Sequence, residues 1–360
     1  MRFELAGEKD DGELRRLLKE TAMAGRIALS AGREPSYFGA LKAEGFLNQV
    51  IVARDEAGAI AAFGTRSLRR VFVNGKPEQT GYLGNLRILP ARRRGSVLSR
   101  GYDFLRKLHS DGKTAFYLTT IMSDNRQAAG LLSSGRCGLP AYNYWGEYVT
   151  SVFCAASAPK PQKTDFEILQ ATPETLAAVS DFLGREGPRR QFFPCAELSG
   201  GSLGGLEAEN FYAATRGGEI IGVMAKRDQR DSRQLVVSGY GKLTGALRPV
   251  YNLWAKAAGY PQLPPPATAL NCCYVSFAAV SGDEKKVFSA LLSRLASDWA
   301  AQGGELVLVG LHSSDPLSAA LAGFKAFKIK SGLYVVTFEE HERRLAALRG
   351  RTPHLEIATI

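Results

Sequence analysis

A basic, glycine-containing turn has the residue types and spacing that most clearly indicate chemistry in this sequence. The turn reads ARRRGSV over residues 91–97, after an apolar stretch that predicts a strand and before an amphipathic stretch that predicts a helix. The first backbone N–H groups of a helix lack partners within the helix, and the helix dipole favours negative charge there. Gly95 and Ser96 are small enough for an anion to approach the main chain, and the neighbouring arginines would attract it. The turn therefore predicts a phosphate-binding site, although the same residues are also typical of a solvated connection.

The elements around this turn recur after a proline-containing linker at residues 155–164 (AASAPKPQKT). In an ungapped comparison, residues 86–125 align with residues 276–315, so that FYLTTIMSDN matches LVLVGLHSSD. Any two strand–helix–strand units share part of such a pattern, but the recurrence favours two copies of one fold. We predict a first domain at residues 1–154, a second at 165–338, and a C-terminal helix and strand at 339–360.

Hydrophobic periodicity predicts the elements within each copy. The predicted strands are 2–5, 50–54, 59–73, 81–89, 115–122 and 142–153 in the first copy, and 166–170, 210–216, 219–226, 234–239, 269–280, 305–311 and 332–338 in the second. The predicted helices are 11–23, 36–49, 96–109, 125–133, 173–184, 284–302, 316–323 and 339–349. The chain then closes with PHLEIATI, an alternating segment that predicts a strand.

The second copy differs from the first at the phosphate turn. Where the first copy has ARRRGSV, the second has SGDEKKV over residues 281–287. Asp283 and Glu284 would place two carboxylates against a phosphate, which is electrostatically unfavourable. We therefore predict that only the first copy binds a phosphorylated ligand.

Composition excludes several classes of protein. The chain has 360 residues, a net charge of +11 and 45% hydrophobic residues. It has no apolar run near the ~18 residues of a membrane span. The arginine clusters lack the interleaved aromatic residues typical of nucleic-acid surfaces, and the five cysteines show no C-x-x-C spacing. We expect a cytoplasmic protein with reduced thiols and no metal centre, with neither nucleic acid nor a membrane as partner; the sequence allows a homodimer.

The basic turn, the helix that begins at Asn125 and the order of the elements resemble the GNAT superfamily of acyl-CoA-dependent N-acyltransferases. The family's pyrophosphate loop, Q/R-x-x-G-x-G/A, would be residues 92–97, with Val97 departing from the small last residue. The family's later N-x-x-A pattern corresponds to Asn125 and Ala128, and Leu132 stands where the family has its proton-donating Tyr. The resemblance is to a tandem GNAT with a degenerate second domain.

The resemblance implies an α/β (α+β) fold of two GNAT-like domains, each a mixed, mostly antiparallel sheet flanked by helices. It also implies direct transfer of an acyl group from acetyl-CoA or another acyl-CoA to the primary amine of a small molecule or peptide. The implied cofactor-binding residues are Arg87, Ile88, Leu89, Arg92, Arg93, Arg94, Gly95, Ser96, Val97, Asn125 and Ala128. The alternatives are a non-catalytic GNAT-fold ligand-binding or scaffold protein, and an aminoacyl or long-chain acyl transferase.

The catalytic base is the remaining part of the expected site. The predicted strand 81–89 contains no carboxylate, although many family members keep their base there. Tandem GNAT enzymes similar to N-myristoyltransferase use their C-terminal carboxylate, and this sequence ends in the apolar segment LEIATI. The resemblance thus implies the carboxylate of Ile360, or the side chain of Glu356, as the base near the thioester. The alternative is that this segment only completes the second sheet.

Overall fold

The computed structural model describes residues 1–21, 27–92, 96–136, 138–160, 163–338 and 344–360. The strands are β1 (Arg2–Leu5), β2 (Ile27–Gly32), β3 (Leu47–Arg54), β4 (Ile60–Val73), β5 (Lys76–Ile88), β6 (Tyr117–Met122), β7 (Ala141–Cys154), β8 (Glu167–Gln170), β9 (Leu198–Ser199), β10 (Ser202–Leu203), β11 (Leu206–Glu207), β12 (Phe211–Arg216), β13 (Glu219–Arg227), β14 (Gln234–Tyr240), β15 (Thr268–Ala269), β16 (Cys272–Val280), β17 (Leu306–His312) and β18 (Phe327–Thr337). The helices are α1 (Asp11–Glu20), α2 (Tyr37–Leu41), α3 (Val97–His109), α4 (Arg126–Leu132), α5 (Leu176–Glu186), α6 (Lys242–Ala258), α7 (Lys285–Ala301) and α8 (Arg344–Ala347).

Twelve of these strands form one sheet, in the order β1-β3-β4-β5-β6-β18-β7-β17-β16-β13-β12-β8. Among the described residues, its only parallel pairings are β5 with β6 and β16 with β17. Helices α3 and α7 pack their apolar sides on this sheet. The mixed, mostly antiparallel sheet flanked by helices confirms the predicted fold class.

Strands from the two halves of the chain alternate at the centre of the sheet. Strand β18 lies between β6 and β7, pairing Val335 with Leu118 on one side and with Asn143 on the other. Strand β7 in turn pairs with β17. The inserted strand is deeply buried, since Leu333 and Val335 have no exposed surface. Strands β6 and β7, which are consecutive in the sequence, are therefore separated by a strand that follows them by almost two hundred residues.

A three-stranded sheet connects the halves a second time. Its order is β15-β14-β2, so that β2 of the first half pairs with β14 of the second. The antiparallel register places Gly32 opposite Gln234. The Gln234 side chain then extends the pairing, because it accepts from the Glu34 N–H and donates to the Glu34 carbonyl oxygen.

Two predicted elements are wrong. The predicted helix 36–49 ends at Leu41, and the chain enters β3 at Leu47. The cause is Gly45, which lies so close to the Leu68 backbone that a Cβ would come within 2.2 Å of the Leu68 carbonyl oxygen. The predicted terminal strand is a 3-10 turn at Ile357–Thr359.

Helix α3 positions the start of the candidate phosphate site. Its buried residues, Tyr102, Leu105 and His109, recur at intervals of three and four and form one apolar face. That face packs on the sheet beside Tyr117 and Phe338. No helix in the described ranges is long and apolar enough to span a membrane.

Candidate active site

The parallel strands β5 and β6 pair over only two residues and then separate. The paired positions are Gly81 with Tyr117 and Tyr82 with Leu118. Gly81 is required here, because a Cβ would lie 2.1 Å from the Tyr117 ring. Strand β5 continues beside β4 as far as Ile88, so its edge towards β6 carries backbone groups without strand partners.

A β-bulge lies in β5 just beyond the point of separation. The register with β4 passes from Thr65 opposite Gly84 to Phe63 opposite Arg87, so β5 has one extra residue. Asn85 adopts φ of 54°, and its side-chain amide donates to Thr65 Oγ1 at 3.3 Å. A bulge changes the direction in which the backbone N–H and C=O groups of the bulged strand point. The sequence signal for this feature is the pair Gly84 and Asn85 within an apolar strand, which hydrophobic periodicity alone does not register.

A cavity of about 300 Å³ occupies the gap between β5 and β6. Leu98, Gly101 and Tyr102 of α3 line it on one side, and Arg33, Arg233 and Ile360 line it elsewhere.

The α3 residues that line the cavity lie on one face of the sheet, and Arg33, Arg233 and Ile360 lie on the other. Leu83 packs with Tyr102, whereas the neighbouring Tyr82 packs with Leu355 and Ile357. Because adjacent residues of a strand point to opposite faces, the cavity connects the two faces of the sheet.

The structure brings several predicted cofactor-binding residues to this cavity. Arg87, Ile88, Val97, Asn125 and Ala128 line it. Asn125 caps α4 by accepting from the Ala128 N–H at 3.2 Å.

The other predicted cofactor-binding residues are placed differently. Leu89 packs in the cluster of α1, α2, β3 and β4, and it does not line the cavity. Arg92 is exposed at the end of a 3-10 turn, and Ser96 is the exposed N-cap of α3. Arg93, Arg94 and Gly95 lie outside the described residues.

The two residues implied as catalytic bases occupy different places. Ile360 is half-buried and lines the cavity. Two hydrogen bonds from Arg69 hold the preceding residue, Thr359, of which the one to its carbonyl oxygen measures 3.0 Å. The role of the Ile360 carboxylate stays a prediction. The Glu356 carboxylate does not line the cavity; it accepts from the Phe277 N–H at 3.1 Å.

Glu356 lies beside β16, in the second half of the chain. Phe277 has φ of 50° in an irregularity of β16, which corresponds to the bulge of β5. The buried residues Ile357 and Ala358 pack against β16 and β17, including Tyr274 and Leu308. Ile357 and Ala358 thus occupy the space beside β16 and β17, whereas the gap between β5 and β6 is open.

Replacing Glu356 by Gln is expected to lower the free energy of unfolding by about 2 kcal/mol at pH 7. Burial opposes the charged carboxylate, but His354, the Phe277 N–H and Arg227 outweigh it, so the pKa of Glu356 lies below its ordinary value of 4.5. A lowered folded-state pKa adds stability above the unfolded-state pKa, and this stability is lost as pH falls through the folded-state value.

Urea titrations of both proteins between pH 7 and pH 4 measure this difference. The gap between Glu356→Gln and the parent should narrow towards pH 4. A gap that stays constant or widens on acidification would contradict the assigned role.

Among the described residues, three tyrosines line the cavity, together with Leu132, which stands at the position of the proton-donating Tyr in the sequence resemblance. The Tyr82 hydroxyl lies 3.1 Å from Thr120 Oγ1, and the hydroxyls of Tyr102 and Tyr142 are hydrogen-bonded to each other. Burial raises the pKa of Tyr82, raises that of Tyr102 to about 12, and raises that of Tyr142 well above its ordinary value. All three hydroxyls are therefore neutral near pH 7 and able to donate a proton.

The corresponding space beside β16 and β17 is occupied by Ile357 and Ala358. Among the described residues, a space of about 20 Å³ lies at the end of β16, beside residues 278–280 and Asp283. Asp283 pairs with Arg190 at 2.5 Å, and Glu284 pairs with Arg216 at 3.0 Å. The carboxylates that the sequence singled out are thus neutralised by arginines of their own half. Within the described ranges, no group of three or more His, Cys, Asp or Glu side chains could hold a metal ion.

Comparison with solved structures identifies the fold. A GCN5-related N-acetyltransferase from Sphaerobacter thermophilus is similar over 100% of this chain and 98% of its own, with a TM-score of 0.60 and 11% identity. N-myristoyltransferase from Saccharomyces cerevisiae with bound myristoyl-CoA is similar over 94% of this chain and 79% of its own (TM-score 0.56, 12% identity).

A GCN5-related glucosamine N-acetyltransferase region in a fungal multi-domain β-N-acetylglucosaminidase is also similar (TM-score 0.61, 12% identity). The match covers 92% of this chain but only 38% of the fungal one. No protein-family model and no curated protein sequence matches the chain. The chain has the GNAT fold, which confirms the fold that the sequence resemblance implied.

Proposed function

We propose that this protein is an acyl-CoA-dependent N-acyltransferase whose acyl-CoA site lies in its first half. The observation that carries the proposal is the cavity of about 300 Å³ between the separated strands β5 and β6, directly beside the bulge at Asn85. Strand edges without partners can accept and donate hydrogen bonds to an extended amide-containing chain such as pantetheine. Acetyl-CoA is the acyl donor that we favour.

The chain's own groups would perform three tasks. Backbone N–H groups of the bulge would stabilise negative charge on the thioester oxygen as the amine nitrogen attacks the carbonyl carbon. The carboxylate of Ile360, which lines the cavity, would take the proton that the amine loses. The C–S bond then breaks, and a neutral tyrosine hydroxyl would protonate the leaving thiolate. Tyr82 is the donor we favour, because it lies where β5 and β6 separate and on the face that Ile360 shares.

A non-catalytic, ligand-binding protein is the second candidate. The presence of Leu132 at the family's tyrosine position favours it. The same cavity would then bind acyl-CoA without turnover, so binding and turnover have to be measured separately.

Calorimetry with acetyl-CoA is expected to show one site per chain whose affinity falls as salt rises. The basic residues at 92–94 would contact phosphates, and contacts between exposed charges are screened by added ions. Pantetheine, which lacks those phosphates, serves as the matched ligand and should bind with little salt dependence. Absence of heat with acetyl-CoA would contradict the proposal, and equal salt dependence of both ligands would contradict phosphate contact at this turn.

A further inference from the structure

Two arginines from distant parts of the chain meet at the face of the cavity opposite α3. Strands β2 and β14 are antiparallel with Gly32 opposite Gln234, so Arg33 and Arg233 extend the same register. Both line the cavity. Like charges opposite each other on paired strands are destabilising. The fold therefore places two positive charges together where ordinary sheet pairing disfavours them.

Acidic side chains of the described cavity residues compensate only one of these charges. Glu44 pairs with Arg33, and both side chains are nearly inaccessible to solvent. In the described part of the chain, no carboxylate lies within ion-pair distance of Arg233, whose guanidinium donates only to the Ala358 carbonyl oxygen at 2.9 Å. Arg87 lines the same cavity, and within the described ranges its guanidinium donates to two carbonyl oxygens, those of Thr21 and Leu86. Among the described residues that line the cavity, three arginines face a single acidic side chain.

Arg33 also has donors without acceptors. It is 1% exposed, and its Nε and Nη1 atoms are buried without a hydrogen-bond partner. A buried polar group without a partner is costly, and the cost is larger for a charged one. Burial, together with repulsion from Arg33, lowers the pKa of Arg233. An anion bound between the two guanidinium groups would accept hydrogen bonds from the unpartnered Arg33 donors. It would also offset the repulsion between the two positive charges.

The position of Arg33 and Arg233 indicates that they face the acceptor amine rather than the acyl donor. The predicted phosphate turn precedes α3, which lies on the other face of the sheet. Tyr82, Ala358 and Ile360 lie on the arginine face. A molecule bound there would approach the gap between β5 and β6 from the side opposite α3.

We propose that the acceptor amine carries a carboxylate, as an α-amino acid does, and that Arg233 binds this carboxylate with Arg33 behind it. This inference rests on the proposed function. Bidentate, charge-assisted hydrogen bonds are the usual way in which a guanidinium recognises a carboxylate. A polyamine would instead bring further positive charge to a cavity that already has an excess of it.

The test uses the full chain with saturating acetyl-CoA and measures release of the free CoA thiol. The acceptors are matched pairs, alanine with alaninamide and phenylalanine with phenylalaninamide, together with putrescine as a diamine. We expect the amino acids to react with a kcat/KM at least ~10-fold above that of their amides. Arg233→Gln should lower kcat/KM about 100-fold for the amino acids and leave the amides almost unchanged.

Arg70→Gln is the matched control, because Arg70 is 57% exposed and its ion pair with Glu197 lies on the surface. It removes the same charge and should leave both classes of acceptor unaffected. Acetyl-CoA affinity of the three proteins, measured by calorimetry, should be the same.

Each contrary outcome has a separate meaning. Failure of the parent protein to bind acetyl-CoA would overturn the proposed function itself. If the protein binds acetyl-CoA, three outcomes would overturn the inference about the acceptor. They are equal rates for acids and amides, turnover of the diamine alone, and no turnover of any carboxylate-bearing amine. An equal loss for acids and amides in Arg233→Gln would make Arg233 a structural residue.

Discussion

A fragment of residues 1–160 is expected not to fold on its own. Strand β7 would lose both of its neighbours, because β18 and β17 come from the second half of the chain. Strand β6 would lose β18 on one side and keep only its short pairing with β5 on the other. Unpaired strand edges with apolar faces favour aggregation. Circular dichroism during heating should show no cooperative transition for this fragment.

Co-expression of residues 1–160 with residues 161–360 is the control. The break lies in the linker, so every strand of the central sheet is present, and the two pieces should assemble into one complex that melts cooperatively. Size-exclusion chromatography would show them eluting together. A fragment 1–160 that melts cooperatively by itself and binds acetyl-CoA would contradict this account of the sheet.

Gly101→Trp is expected to abolish measurable acetyl-CoA binding, with an affinity at least ~100-fold lower. Gly101 lies within α3 and lines the cavity, and the one described atom outside the helix backbone that lies within 4 Å of a Cβ built there is Phe3 Cε1, at 3.5 Å. An indole at this position would fill much of the space of about 300 Å³. Because glycine is a poor helix former, the substitution should not unfold α3.

The control for this variant is Gly184→Trp. Gly184 also lies inside a helix, α5, but it is exposed, and in the described part of the chain no atom outside the helix backbone lies within 4 Å of a Cβ built there. Calorimetry should give the parent affinity for Gly184→Trp, and circular dichroism should show that both variants are folded. Normal acetyl-CoA binding by a folded Gly101→Trp would exclude this cavity as the acyl-CoA site.

The sequence is most informative where local patterns decide the structure. The amphipathic pattern of residues 96–109 predicts α3, which begins at Val97, one residue after the predicted start. Asn125 is recognisable as the beginning of α4 because a helix N-cap needs only one side-chain oxygen close to the first turn. The contrast between the basic turn and SGDEKKV is also readable, since charge is a property of the residues themselves.

The sequence misleads where a distant part of the chain decides the conformation. The apolar pattern of residues 36–49 predicts a helix, but contact between Gly45 and the Leu68 backbone ends it. The alternation in LEIATI predicts a strand with one buried side. In the folded chain Leu355, Glu356, Ile357 and Ala358 are all buried, because this segment fills the gap between β16 and β17.

By itself, then, the sequence determined the local elements, the basic turn and the difference in charge between the two copies, because periodicity and residue type act over one or two turns. The tertiary structure alone decided the exchange of β18 into the first half, the bulge at Asn85 and the meeting of Arg33 with Arg233. These features depend on strand register between residues up to about two hundred positions apart. Register is set by the packing of whole faces, so no short window of the sequence contains it.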